Sequence, residues 1–211
     1  MMKSKSLFQE ALNLLFPEPC IHCGNRQSNP LLLCDTCLLE LPKTLHKIEK
    51  PELLQQLWGM AEYSGPVGAL IRRCKYKPDI HIFQELVSRI EGSHIPWTNF
   101  DAITHIPTTY TRIFHRGFDQ SQILAQMLSK YVSVPYYPML KRVDKHPQSL
   151  RNHSERKENL SHRFQIISSD IPTNILAVDD ICTTGNTLEA ASMTLLNEGA
   201  QRIYGLVVGY S

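Results

Sequence analysis

Apolar residues in segment 4–16 fall at Leu7, Phe8, Ala11, Leu12, Leu14, Leu15 and Phe16. They form one stripe and predict a short amphipathic helix that stops before Pro17 and Pro19. Such a stripe packs on a protein body. Its polar face carries few cations, so a membrane-surface anchor is the weaker alternative. Residues 38–55 are polar, contain Pro42 and Pro51, and read as a connector. Leu57–Ser64 reads as a strand. Pro66 then opens a helix towards Lys77, with Val67, Leu70, Ile71 and Cys74 at helical spacing. A second helix runs over about 80–90 and stops at Gly92.

From Phe100 onward the pattern alternates. Residues 101–106 form an apolar-rich strand ending at Pro107, and a polar loop follows. A helix over about 119–131 turns Ile123, Leu124, Met127 and Leu128 inward. Residues 134–140 read as a strand weakened by Pro135 and Pro138. Segment 141–163 is charged with few apolar anchors, so it is expected to be a long mobile loop, a feature that usually serves function. Residues 164–167 and 175–178 are further strands. A helix over 187–198 ends at Gly199, and 202–208 is the last strand. The fold class expected is α/β, a mostly parallel sheet flanked by helices. No internal repeat is visible.

The chain has 211 residues, enough for one or two domains, and 42% are hydrophobic, enough for a real core. The net charge is only +2, which gives no support to a histone-like or tail-driven nucleic-acid binder. The charge is unevenly placed. Segments 72–77 and 141–163 each carry +4, leaving −6 on the rest. Two basic segments on an acidic body point to a specific anionic partner. No run of 18 apolar residues predicts a transmembrane helix, and Gln9, Glu10 and Asn13 interrupt any signal-peptide core. Of six cysteines, four are clustered, which points to metal in a reducing compartment. The expected location is cytoplasmic, with contact of residues 1–16 with the inner membrane left open.

The densest chemical signal is the run from Asn174 to Thr187. A buried strand delivers Asp179 and Asp180 to its carboxyl end, where open parallel sheets bind ligands. Thr183, Thr184, Gly185, Asn186 and Thr187 then lead straight into a helix. The first amides of that helix have no intrahelical partner, and its dipole favours an anion. Gly185 permits a tight turn with no Cβ in the way of a phosphate. The loop is not a Walker A sequence. Carboxylates beside a phosphate need hydroxyls or a divalent cation to face. A ribose 5-phosphate satisfies both halves, with the loop taking the phosphate and the acids accepting from ribose hydroxyls.

Cys20-x2-Cys23-x10-Cys34-x2-Cys37 consists of two thiol pairs, each able to bite a tetrahedral metal. Four thiolates leave no open position, so a structural Zn2+ is expected. His22 reads as a bystander, and Cys74 and Cys182 as ordinary semi-buried cysteines.

The Asp-Asp-x-x-Thr-Thr-Gly-x-Thr run resembles the phosphoribosyl-pyrophosphate (PRPP) motif of type I phosphoribosyltransferases. The resemblance implies a parallel sheet with a hood at about 141–163, Asp179 and Asp180 on the ribose (the catalytic pair if any transfer occurs), the 183–187 loop on the 5′-phosphate, and Mg2+ carried in with pyrophosphate. It makes Pro107, Thr108, Thr109, Arg112 and Arg116 the pyrophosphate loop. The four-Cys N-terminus before such a domain is similar to the ComF/GntX group. Arg116-Gly117-Phe118-x-Gln120 and the hood residues Lys141, Arg142, Gln148, Leu150, Arg156, Asn159 and Phe164 also match. Asp119 departs from the usual Asn and adds a negative charge beside the pyrophosphate loop. The domains expected are 1–50, a helix plus zinc module, and 51–211, the phosphoribosyltransferase-like domain.

This resemblance implies a competence role in natural transformation, handling single-stranded DNA. Candidate DNA contacts are Arg72, Arg73, Lys75, Tyr76, Lys77, Lys141, Arg142, Gln148, Arg151, Arg156 and Lys157, cations with an aromatic among them. A phosphoribosyltransferase acting on a small acceptor is the alternative. A scaffold whose zinc module docks a helicase or DNA-uptake protein is the third.

Overall fold

The computed structural model describes residues 19–26, 32–76, 79–143 and 163–211. The expected helix over 4–16 and the hood positions Gln148, Leu150, Arg151, Arg156, Lys157 and Asn159 lie outside the described residues, as does Lys77.

The elements in chain order are α1 (Asp35–Leu39), β1 (His46–Ile48), β2 (Gln56–Glu62), α2 (Gly65–Cys74), α3 (Ile80–Glu91), β3 (Ala102–His105), α4 (Tyr110–Arg116), α5 (Gln120–Val132), β4 (Leu140–Arg142), β5 (Phe164–Ile166), β6 (Asn174–Cys182), α6 (Asn186–Asn197) and β7 (Arg202–Tyr210). The main sheet has the order β1-β2-β7-β6-β3. Its four longer strands are mutually parallel, and β1 is antiparallel to β2. A separate ribbon pairs β4 with β5.

Strands β6 and β7 are buried on both faces, so their sequences read as continuous apolar runs rather than alternating ones. Leu176 and Val178 enter one core, with residues of α2, α3 and α5. Ile175 and Ala177 enter the other, with Leu188, Ala191 and Leu195 of α6. Helices on both faces of a mainly parallel sheet are the expected α/β architecture.

Four local expectations are corrected. The loop after β3 contains the helix α4, capped at its start by Thr109, whose hydroxyl accepts from Arg112 N at 3.3 Å, and stopped by Gly117 at φ 79°. The strand expected over 134–140 is a single bridge, Ile103 to Tyr136, before β4 begins. Pro135 and Pro138 cannot donate to a ladder, which explains the interruption. The connector over 38–55 contains β1, whose pairing to β2 extends the main sheet. Strand β6 runs four residues past Val178, through the two aspartates.

The Cys-rich segment shares the first core. Cys20, Leu33, Cys37, Leu41 and Leu45 cluster with Phe83, Leu86 and Ile90 of α3. Arg89 of α3 fastens the chain as it leaves this segment. Its Nη1 donates to the carbonyls of Leu41 and Pro42, both at 3.1 Å, while Glu85 holds the guanidinium from one turn back. Ser93 Oγ accepts from Leu45 N at 2.7 Å. Arg89→Ala is expected to destabilise the fold by about 1–3 kcal/mol, since two carbonyls lose their donor. Urea denaturation checks this, with Arg89→Lys recovering only part of the loss because one ammonium lacks the guanidinium's fork.

Candidate functional site

The four cysteine sulfurs gather at one point. All four Sγ atoms lie within 4.8 Å of one another. Cys23 and Cys34 Sγ are 3.7 Å apart, and a tetrahedron with 2.3 Å metal–sulfur bonds has edges of about 3.8 Å. The backbone sets this up. The first pair lies on a turn closed by Gly24 N to Cys20 O at 2.9 Å, with Gly24 at φ 75°. In the second, Cys34 is the N-cap of α1 and Cys37 lies inside that helix. Burial pushes the Cys20 thiol up, but hydrogen bonds from the backbone of Cys23, Cys34 and His22 outweigh it and bring the group down to about 6. Burial and the neighbouring thiols push Cys37 the other way, and Cys23 is raised as well, so the four do not all ionise without a cation. Four convergent thiols at this spacing fit a Zn2+ ion. His22 and Glu40 also come within ligand reach of Cys37, but both are exposed.

The acid pair lies near the carboxyl end of β6. Asp179 is paired opposite Val207 within β6 and is buried. Its Oδ1 accepts from Ser121 Oγ at 2.7 Å and from Asp180 N at 2.8 Å. Burial, with the neighbouring Asp180 charge, pushes its carboxyl well above the ordinary carboxylate range. Burial also raises Asp180, against the pull of the Lys75 ammonium. Lys75 follows α2, and its Nζ lies 5.3 Å from the centre of the Tyr63 ring and 3.5 Å from the Tyr63 hydroxyl. Arg72 covers the same ring at 5.7 Å. Cations at this helix end also complement its dipole. Tyr76, next along, is 87% exposed.

Thr183 and Thr184 are exposed, and Gly185 caps α6 at φ 73°. A Cβ on Gly185 would come within 2.7 Å of Pro51 Cγ, so the glycine is required by a neighbouring segment of the chain as well as by its own turn. Asn186 and Thr187 form the first turn of α6.

Pro107, Thr108 and Thr109 follow β3, while Arg112 (exposed) and Arg116 (half-buried) lie on α4. Asp119 ties this loop to the acid pair. It is the buried N-cap of α5: its Oδ1 accepts from Ser121 N at 3.0 Å and Gln122 N at 3.4 Å, and its Oδ2 accepts from Thr108 N at 2.8 Å. The departure from Asn is thus built into the backbone of the loop. Lys141 and Arg142 sit on β4, where Arg142 lies over the Phe164 ring at 5.6 Å.

The sequence pattern did not reveal Ser121, Tyr63, or the pair of buried His105 and half-buried Tyr136, hydrogen-bonded at 2.8 Å. Burial lowers the His105 imidazole against the pull of Asp119, and raises the Tyr136 hydroxyl to about 12. The Ser two residues after an N-capping Asp was the available signal for Ser121.

Fold and site together define an α/β protein with an acid pair and a hydroxyl-rich turn ahead of a helix, and a four-thiol module on one flank. No family model matches the chain. It is similar to competence protein F of Haemophilus influenzae, 27% identical over 199 residues, covering 87% of this chain and 81% of that protein. DNA utilization protein YhgH of Salmonella typhi is 27% identical, covering 87% and 80%. Competence protein ComFC of Bacillus subtilis is 28% identical, covering 85% and 72%. These relatives bear out the resemblance to the ComF group. Among solved structures, an adenine phosphoribosyltransferase has TM-score 0.43 at 19% identity, covering 80% of this chain and 86% of that one. Orotate phosphoribosyltransferase from Aeropyrum pernix has TM-score 0.38 at 18% identity, covering 61% and 57%.

Two outcomes are expected. Chelation should lower the melting temperature of the whole protein, because the thiol cluster shares its core with α3, and elemental analysis should find one zinc per chain. Asp179→Asn should raise the melting temperature at pH 7, since the amide oxygen can keep both accepted bonds without a buried charge. The folded carboxyl is raised, so in the parent stability grows as pH falls towards about 4, the ordinary carboxylate value, and is lost as pH rises through the folded value. The gain from Asp179→Asn should therefore vanish near pH 4, as thermal melts across pH will test.

Proposed function

We propose that this chain is a ComF-like competence protein that handles incoming single-stranded DNA and carries a PRPP-type pocket. The observation that carries the reading is Lys75. The ammonium of this member of the basic run is near enough to pull on the Asp180 carboxyl by its charge, which puts the expected DNA contacts in the neighbourhood of the expected ribose site. The names of the relatives, competence protein and DNA utilization protein, support the DNA role. Arg72, Arg73, Lys75 and Tyr76 supply cations and a ring at the end of α2. Tyr110 and Phe114, one turn apart on α4, are 70% and 75% exposed among Arg112, His115 and Arg116. Exposed rings among cations suit a strand whose bases stack while its phosphates pair.

In the pocket, Asp179 and Asp180 accept from the ribose hydroxyls, and the 183–187 loop takes the 5′-phosphate. Pro107, Thr108, Thr109, Arg112 and Arg116 border the pyrophosphate, whose charge Mg2+ offsets. Zn2+ on Cys20, Cys23, Cys34 and Cys37 is structural. The domains are 1–50 and 51–211, with the hood over 141–163. The location is cytoplasmic; among the described residues no helix is long and apolar enough to cross a membrane.

The acid pair beside a phosphate-type loop also favours a second reading, transfer of a phosphoribosyl group to a small acceptor. Positioning and neutralised pyrophosphate charge would be the main demands on the protein. Pyrophosphate release from PRPP that depends on an added nucleobase would establish it.

The test of the DNA reading is fluorescence anisotropy of a labelled single strand at several salt concentrations, with duplex DNA and PRPP·Mg2+ as further arms. Preference for the single strand and a steep salt dependence are expected. Lys75→Ala with Lys77→Ala should weaken binding about tenfold at low salt, for all sequences alike. Equal affinity of parent and variant would overturn the assignment.

A further inference from the structure

A cavity of about 620 Å3 lies beside the Thr183–Gly185 turn, and neither aspartate lines it. Its walls come from the segment around β1 and from the end of β7. Thr183 and Thr184 offer hydroxyls on one side, and Lys50 offers an ammonium. Glu49 is the single acid among the lining side chains. On another side stand His46 and Tyr210, hydrogen-bonded from Nε2 to the hydroxyl at 2.6 Å. Their rings are 5.5 Å apart and inclined at 83°. Tyr210 cannot swing freely, because it lies on Gly59, where a Cβ would come within 2.6 Å of the ring. Two fixed rings at nearly a right angle make a corner. A flat heterocycle can stack on one and meet the edge of the other.

The chemistry is therefore divided. An anion-seeking end consists of Lys50, two threonine hydroxyls and Gly185, the N-cap of the 12-residue helix α6. A ring-seeking end lies against His46 and Tyr210. The volume falls within the usual range of small-molecule sites. We propose that this cavity binds a 5′-nucleotide, either free or at the end of a strand, with its phosphate at Thr183, Thr184 and Lys50 and its base in the His46–Tyr210 corner. The proposal rests on the reading of the 183–187 loop as a phosphate site. It adds a base platform on walls that neither aspartate lines.

Calorimetry on the full-length protein would compare adenosine 5′-monophosphate, ribose 5-phosphate and PRPP·Mg2+. The nucleotide is expected to bind about tenfold tighter than ribose 5-phosphate, the gain of one stacked base, and to compete with PRPP·Mg2+. His46→Ala, at an exposed position, should erase most of that preference while leaving PRPP·Mg2+ affinity unchanged. Lys50→Ala should weaken both phosphate esters alike. If PRPP·Mg2+ binds but the nucleotide binds no tighter than ribose 5-phosphate, or if His46→Ala keeps the preference, the base platform is overturned and the loop reading stands. If no phosphate ester binds, both fall. A 5′-phosphorylated oligonucleotide binding tighter than its 5′-hydroxyl counterpart identifies a strand end as the source. Binding by the mononucleotide alone identifies a free nucleotide. Either one upholds the assigned chemistry.

Discussion

A carboxylate buried inside the parallel sheet is the constraint on which the candidate site is built. Asp179 takes its place opposite Val207 without interrupting the ladder, and Ser121 Oγ and the amide of Asp180 both donate to it, which offsets part of the cost of burying it. The serine reaches it because Asp119 caps α5 and fixes that helix's first turn. The same Asp119 holds the amide of Thr108. One helix start thus sets the relative positions of the acid pair and the loop after β3. Two acids buried this closely repel each other, and Lys75 relieves part of the cost at Asp180.

Much of this was legible in the chain. Alternation of strands and helices announced a mostly parallel sheet, and the positions of α6 and β7 follow their hydrophobic runs closely. The same periodicity failed where tertiary contacts decide. Strand β1 is three residues long, His46, Lys47 and Ile48, with only Ile48 turned from solvent, so no pattern marked it. It is a strand because β2 offers an edge. Helix α4 did carry signals, Thr109 as cap and Gly117 as stop, but seven residues with a mostly polar surface gave too weak a stripe to notice.

At the site, residue types were easier to foresee than their partners. Cys20, Cys23, Cys34 and Cys37 converge as their spacing requires, since each pair rides on a single local turn. Lys75, Asp119 and Ser121 are separated from Asp180 and Asp179 by tens of residues. Nothing local fixes how those side chains meet. Gly185 illustrates a right expectation with an additional cause: the bare Cα admits Pro51 as well as serving the turn.

The short strand β1 has a consequence for the sheet as a material edge. It covers β2, a seven-residue strand with four consecutive buried positions that would otherwise present a row of unpaired amides and carbonyls. A long apolar edge invites strands from other chains. Strand β1 replaces it with three residues bearing His46 and Lys47 outward, too short and too charged to template further pairing. The segment leaving the four-thiol module therefore acts as a hem on the sheet, and cutting the chain after it would unravel protection against aggregation along with the module itself.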